Sequence, residues 1–150
     1  VSYSPYLQQT DRAIEDGRII YDSSQMPTAI IDLYLVDTAF IEENPAAVQA
    51  FVNAIFKGTQ FMTDSPEEAL EIGAAELEVT TEELASDLGG VKIPSVEDNL
   101  DMLARPDSDT YLVEPLSELA AFLLAEGQIE TDPGDIASLI DPQFVEAYQA

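Results

Sequence analysis

The side chains in this chain that could do chemistry are carboxylates and hydroxyls. The 150 residues hold 30 Asp and Glu against 5 Lys and Arg, with no cysteine and no histidine, for a formal net charge of -25. Without cysteine there is no thiol nucleophile, no disulfide framework and no thiolate-bound metal. Without histidine the commonest general base and the usual zinc ligand are missing. What remains for catalysis is a pair of acids converging on one cleft, as in glycoside hydrolysis, and no spacing here singles out such a pair. No catalytic residue, metal ligand or cofactor is expected, and the sequence reads as that of a non-enzyme.

The charge also bears on partners. Nucleic acid and anionic lipid both need Lys and Arg contacts, so neither is expected. A surface of this kind repels itself, over a range that salt shortens to roughly 8 Å at physiological ionic strength. Salt adaptation, an ordinary acidic secreted domain and a polyvalent-cation site are the three readings of the acidity. The third is the weakest, because the acids show no calcium-loop spacing. Many of them stand at helix starts, where a carboxylate caps free N–H groups and meets the positive end of the helix dipole.

With 46% hydrophobic residues the chain can bury a core, and no run is long enough to span a membrane. The stretch around which the rest is arranged runs from Ile30 to Phe56. Ile30 to Val36 is aliphatic and β-branched, as a strand should be. Asp32 lies within it and shares a face with Ile30, Tyr34 and Val36 on strict alternation. After a bend carrying Phe40 and Ile41, Asn44 can cap a helix whose first residue is Pro45. Val48, Phe51, Val52, Ile55 and Phe56 form its apolar face. Upstream, Leu7 to Asp16 reads as a helix stopped by Gly17. Arg18 to Tyr21 reads as a short strand, and Asp22 to Pro27 as a loop with turn chemistry in Asp22, Ser23 and Ser24.

Downstream the chain is helical. Ser65-Pro66-Glu67-Glu68, with a proline at the first helical position, and Thr80-Thr81-Glu82-Glu83 are capping-box start signals, and Ser95-Val96-Glu97-Asp98 is a looser version. Asp132-Pro133 and Asp141-Pro142 predict two short helices near the end. Leu116, Leu119, Ala120, Leu123 and Leu124 make the cleanest stripe, closed by Gly127. Arg105 to Thr110 is a polar loop. The class expected is therefore α/β and helix-dominated, with few strands. Two short strands do not make a stable sheet alone, so they read as donors to a sheet whose other members lie elsewhere.

The order of these pieces resembles the C-terminal half of a periplasmic substrate-binding protein. The family is the NMT-like group serving ABC importers for nitrate, sulfonates, taurine and thiamine-precursor pyrimidines. Tyr3-Ser4-Pro5-Tyr6 resembles the segment leaving the second lobe, although the family usually has Trp where Tyr3 stands. Gly17 to Asp22 resembles the crossing that follows. Tyr34-Leu35-Val36 with Phe40 to Phe51, including Glu42-Glu43-Asn44-Pro45, is similar to the return strand and helix of the first lobe. Ile136 to Ala147 resembles the closing helices.

The resemblance implies a type II periplasmic-binding-protein fold of two lobes. Residues 1–30 would end the second lobe and cross over, and 31–150 would supply the C-terminal part of the first. It implies that the chain is a fragment of the receptor, or that the N-terminal half was lost or lies in another chain. It implies a substrate-binding component of an ABC importer, periplasmic or extracytoplasmic and open to membrane anchoring. Its partners would be a small polar solute and the membrane permease, with exposed strand edges offering a route to a homodimer. Tyr3, Ser4 and Tyr6 resemble cleft residues, and Asp22, Ser24 and Asp32 are the other candidate ligand contacts. Against Asp22 and Asp32 a cationic or neutral polar ligand is favoured over an anion. The competing reading is an acidic helical interaction module, with apolar stripes packing on a partner and acids meeting a basic surface.

Overall fold

The computed structural model describes residues 6–26 and 28–148. Eight α-helices run in order: α1 (Tyr6–Ala13), α2 (Thr38–Glu43), α3 (Pro45–Asp64), α4 (Pro66–Leu77), α5 (Thr81–Leu88), α6 (Val96–Leu103), α7 (Val113–Ala125) and α8 (Gln143–Glu146). Two 3-10 turns, Ser23–Gln25 and Ile136–Leu139, complete the regular structure among the described residues. The chain divides into two compact units, one of residues 1–25 and 57–93, the other of 26–56 and 94–150.

The helix-dominated character expected from sequence holds, but the strands do not form. Arg18 to Tyr21 and Ile30 to Val36 are irregular, and no strand occurs among the described residues. The physical reason is that a strand is completed by its neighbour. β-branched residues favour an extended backbone, but the ladder needs a second chain segment. The bend expected at Phe40-Ile41 is in fact α2. It starts on Asp37, whose carboxylate accepts hydrogen bonds from the amides of Ala39 (2.9 Å) and Phe40 (3.2 Å). Asn44 closes α2, its N–H reaching the Phe40 carbonyl, and its own carbonyl accepts the Val48 amide at the start of α3.

The first unit is built on the α4–α5 hairpin. α4 begins at Pro66 as expected, although the Ser65 side chain makes no capping bond. α5 has the full capping box. The Glu83 amide donates to Thr80 Oγ1 (3.2 Å) and the Thr80 amide donates to Glu83 Oε2 (2.9 Å). Ala74 is buried, and beside it Gly73 lets α5 approach: a Cβ there would lie 2.9 Å from Leu84 Cδ2. Any larger side chain at position 73 must displace Leu84.

At the end of α4, Glu78 holds a left-handed backbone with φ of 56°, so that the Val79 amide can reach the Ala74 carbonyl at 3.1 Å. Glycine normally takes that place, because an L side chain there costs roughly 1–2 kcal/mol. Glu78→Gly is therefore expected to stabilise the chain by about 1 kcal/mol, a Tm rise of roughly 2–4 °C. Glu78→Gln removes the same negative charge but keeps the strain. If both variants gave equal gains in a thermal melt, the backbone explanation would be wrong.

The second unit holds most of the buried apolar side chains. Val48 and Phe56 of α3, Met102 of α6, Leu112, Ile136, and Phe144 and Val145 of α8 are its core. The Phe56 and Tyr148 rings pack 4.9 Å apart. α6 packs on α8, and α7 packs on the Ile136–Leu139 turn. α6 starts with the looser capping box expected of Ser95 and Asp98, with both reciprocal bonds made. α7 ends in a Schellman motif on Gly127, whose φ is +66°, with Gln128 donating to the Leu123 carbonyl (2.8 Å) and Gly127 to that of Leu124 (3.1 Å). A long-range polar bond joins the beginning and end of the unit. Gln49 Nε2 donates to the Phe144 carbonyl and to Asn53 Oδ1, both at 2.9 Å.

Candidate functional site

Tyr3 and Ser4 lie outside the described residues. Tyr6, the first residue of α1, is 66% exposed, and its carbonyl accepts the Thr10 hydroxyl. Asp22 and Ser24 are brought together directly. The Ser24 amide donates to Asp22 Oδ1 at 2.9 Å and the Ser24 hydroxyl donates to the same oxygen. This is an Asx turn, and it winds the 3-10 turn Ser23–Gln25. The Ser24 hydroxyl, helped by its amide, holds the Asp22 carboxyl below the usual carboxylate range. Tyr6 makes no hydrogen bond with Asp22 or Ser24. Asp32 is exposed within the irregular run before α2 and belongs to the second unit. The sequence thus correctly marks Asp22 to Met26 as a turn, Pro27 lying outside the described residues, and the Asp22–Ser24 bonds give that turn its geometry.

Sequence reasoning did not mark the concavity of the second unit. An open cavity of about 450 Å³ is lined by Thr28, Asp107, Ser108, Asp109, Tyr111 and Glu114, with prolines and Glu118 at its edge. Pro106 to Asp109 of the lining lie on a stretch wound by successive turns, in which the Ser108 amide donates to the Arg105 carbonyl and the Tyr111 amide to that of Ser108. The signal for it was present as the density of Asp, Ser and Pro between two helices. The lining is polar and anionic, suited to a neutral or cationic group. Beside it Arg105 is clamped by Glu97 (2.6 Å) and Asp101 (2.7 Å), which raise its already high pKa and occupy its charge.

Among the described residues no group of three or more acids is placed to hold a metal ion. The chemistry on offer is therefore hydrogen bonding and charge, from single carboxylates and hydroxyls. One of these carboxylates titrates with a structural consequence. The Thr80 amide, and then its hydroxyl, hold Glu83 below its ordinary range. A depressed carboxylate stabilises the fold above its unfolded pKa, and the contribution is lost as pH falls through the folded value. The start of α5 is expected to fray as pH falls below the ordinary glutamate range and through the depressed value of Glu83. In an NMR titration the Thr80 amide should move with the Glu83 carboxyl, and Glu83→Gln should abolish the linked movement.

Residues 7–69 match the family described as NMT1/THI5 like. That segment is similar to a family whose members are in general substrate-binding proteins. It contains Asp22, Ser24 and Asp32, begins one residue after Tyr6 and ends in α4. No curated protein and no solved structure matches the chain. No helix among the described residues is long and apolar enough to cross a membrane.

Proposed function

We propose that this chain is part of the solute receptor of an ABC importer, with a two-lobed fold in which closure buries a small polar molecule. The observation that carries the reading is the family match over residues 7–69, which spans three of the candidate ligand contacts. Such a receptor does no covalent chemistry, in keeping with a chain that has neither histidine nor cysteine. It works outside the cytoplasm and hands its solute to a membrane permease. The strands of that fold and the rest of its cleft lie outside the described residues.

The ligand of this reading is neutral or cationic. Asp22 and Asp32 present unneutralised carboxylates, and a net charge of -25 repels an anion at long range. Tyr6 and Ser24 offer hydroxyls for a polar heterocycle or an amine. In a thermal-shift screen of the full natural polypeptide, a pyrimidine or a small amine at 100 times its Kd should add about 2.7 kcal/mol of stability. Stabilisation by nitrate or taurine alone would reverse the ligand class and keep the receptor. Stabilisation by no solute would remove the receptor. It would then favour the helical interaction module, which the exposed Leu119 and Phe122 of α7 support.

A further inference from the structure

The exposed residues of α7 change character along its length. Glu114 and Glu118 stand in its first half, and Leu119, Ala121, Phe122 and Ala125 follow, all of them exposed. The two large apolar side chains, Leu119 and Phe122, are 50% and 60% exposed. Spacings of three and four residues put Glu118 beside Phe122, and Pro115 beside Leu119, on one side of the helix. Glu114, Pro115 and Glu118 also line the cavity. The acidic concavity and the apolar stretch therefore meet on one helix, inside the second unit.

Asp107 and Asp109 add two more carboxylates to the cavity wall. Among the described residues none of the four carboxylates has a hydrogen bond or an ion pair, and Arg105 beside them is already held by Glu97 and Asp101. Exposed apolar area next to uncompensated charge fixes the chemistry of what covers it. A second copy of the chain would bring another charge of -25 against this one. Anionic lipid is repelled in the same way. Lysine and arginine are attracted. The backbone of the partner follows from α7 itself, whose amides and carbonyls bond within the helix and offer nothing to an added strand. A partner here has to satisfy its own backbone, as a helix does.

We propose that the exposed face of α7 and the adjoining cavity dock a basic amphipathic helix from another protein. Its apolar side chains cover Leu119 and Phe122, and its lysines or arginines enter the cavity among Asp107, Asp109, Glu114 and Glu118. Glu114 and Phe122 stand about 12 Å apart along the α7 axis, so the basic and apolar ends of the partner lie about two turns apart. This surface lies outside residues 7–69, apart from Thr28 at the cavity wall, so the docking holds with or without a solute.

The test uses the full natural polypeptide and a stapled helical peptide of about 18 residues. The peptide carries two leucines three positions apart, two lysines about two turns further on, and a photo-crosslinking residue beside the leucines. Adducts sequenced by mass spectrometry are expected on residues 118–125. By fluorescence anisotropy, Phe122→Ala should weaken binding about 10-fold and melt as the natural protein does, since that side chain is exposed. Glu114→Gln with Glu118→Gln should weaken binding and flatten its salt dependence. Ile72→Ala, at an exposed position of α4, should change nothing. Absence of binding would overturn the proposal, as would equal affinity for a scrambled peptide of the same composition, which would reveal charge alone. Equal affinity for a peptide broken by a central proline, adducts elsewhere on the acidic surface, or an unchanged Kd in Phe122→Ala would also overturn it. A saturating solute should leave the Kd unaltered, so failure of the docking and failure of the receptor are read separately.

Discussion

Shortening Leu112 to alanine is expected to cost about 3 kcal/mol, with a Tm roughly 6–12 °C lower. Leu112 is 1% exposed, the most deeply buried large side chain described in the molecule. It sits just before α7, and its backbone ties two helices. The Leu112 amide donates to the Met102 carbonyl at the end of α6, and its carbonyl accepts the Leu116 amide in the first turn of α7, both at 3.0 Å. The lost methyl groups therefore leave a cavity where α6 and α7 are pinned by backbone bonds and cannot collapse freely. Leu112→Met keeps the volume and should cost less than about 1.5 kcal/mol. The check is a pair of urea melts. A Leu112→Ala loss below about 1 kcal/mol would mean that the site relaxes around the missing atoms.

Salt should act on the whole chain. Two like charges about 10 Å apart in water repel by roughly 0.4 kcal/mol, and 30 acids against 5 bases create many such pairs. The Debye length falls from about 30 Å at 0.01 M salt to about 3 Å at 1 M. The midpoint of thermal unfolding is expected to rise on the order of 10 °C between 0.01 and 0.5 M NaCl. KCl should act equally, since screening depends on ionic strength. A curve that is flat below 0.5 M and climbs only above 1 M would point to salting-out of apolar surface. A response flat throughout would discard self-repulsion as a determinant of stability.

What could be read from the residues was what is local in space. The capping boxes at Thr80–Glu83 and Ser95–Asp98 are completed within four residues, and the Gly127 cap within six, so their sequences specify them. Helix-dominated character followed from these signals. The strands failed because β-branched residues favour an extended backbone, whereas a strand forms only with a pairing neighbour, which a run of residues does not encode. α2 was missed although Asp37 announces it, because six residues are too few to show a period. The burial of Leu112 goes with a backbone bond to Met102, ten positions away, which no local pattern encodes. At the candidate site the Asp22 turn was legible for the same local reason. The cavity over Asp107 to Glu118 was not, because it arises from the path of a loop between two helices.

The bond from Gln49 to the Phe144 carbonyl spans 95 positions of sequence, and this sets an order of events during synthesis. The α4–α5 hairpin can close as soon as Leu88 leaves the ribosome, since its contacts are near neighbours. The second unit waits for α8. At about 5–20 residues per second, the start of α3 stands without its closing partner for roughly 5–20 s. During that interval Ile30 to Val36 is also uncovered, next to a helix whose own apolar face is still bare. An aggregation-prone interval of synthesis therefore lies between the emergence of α3 and that of α8. A chain released before Phe144 would remain in that state.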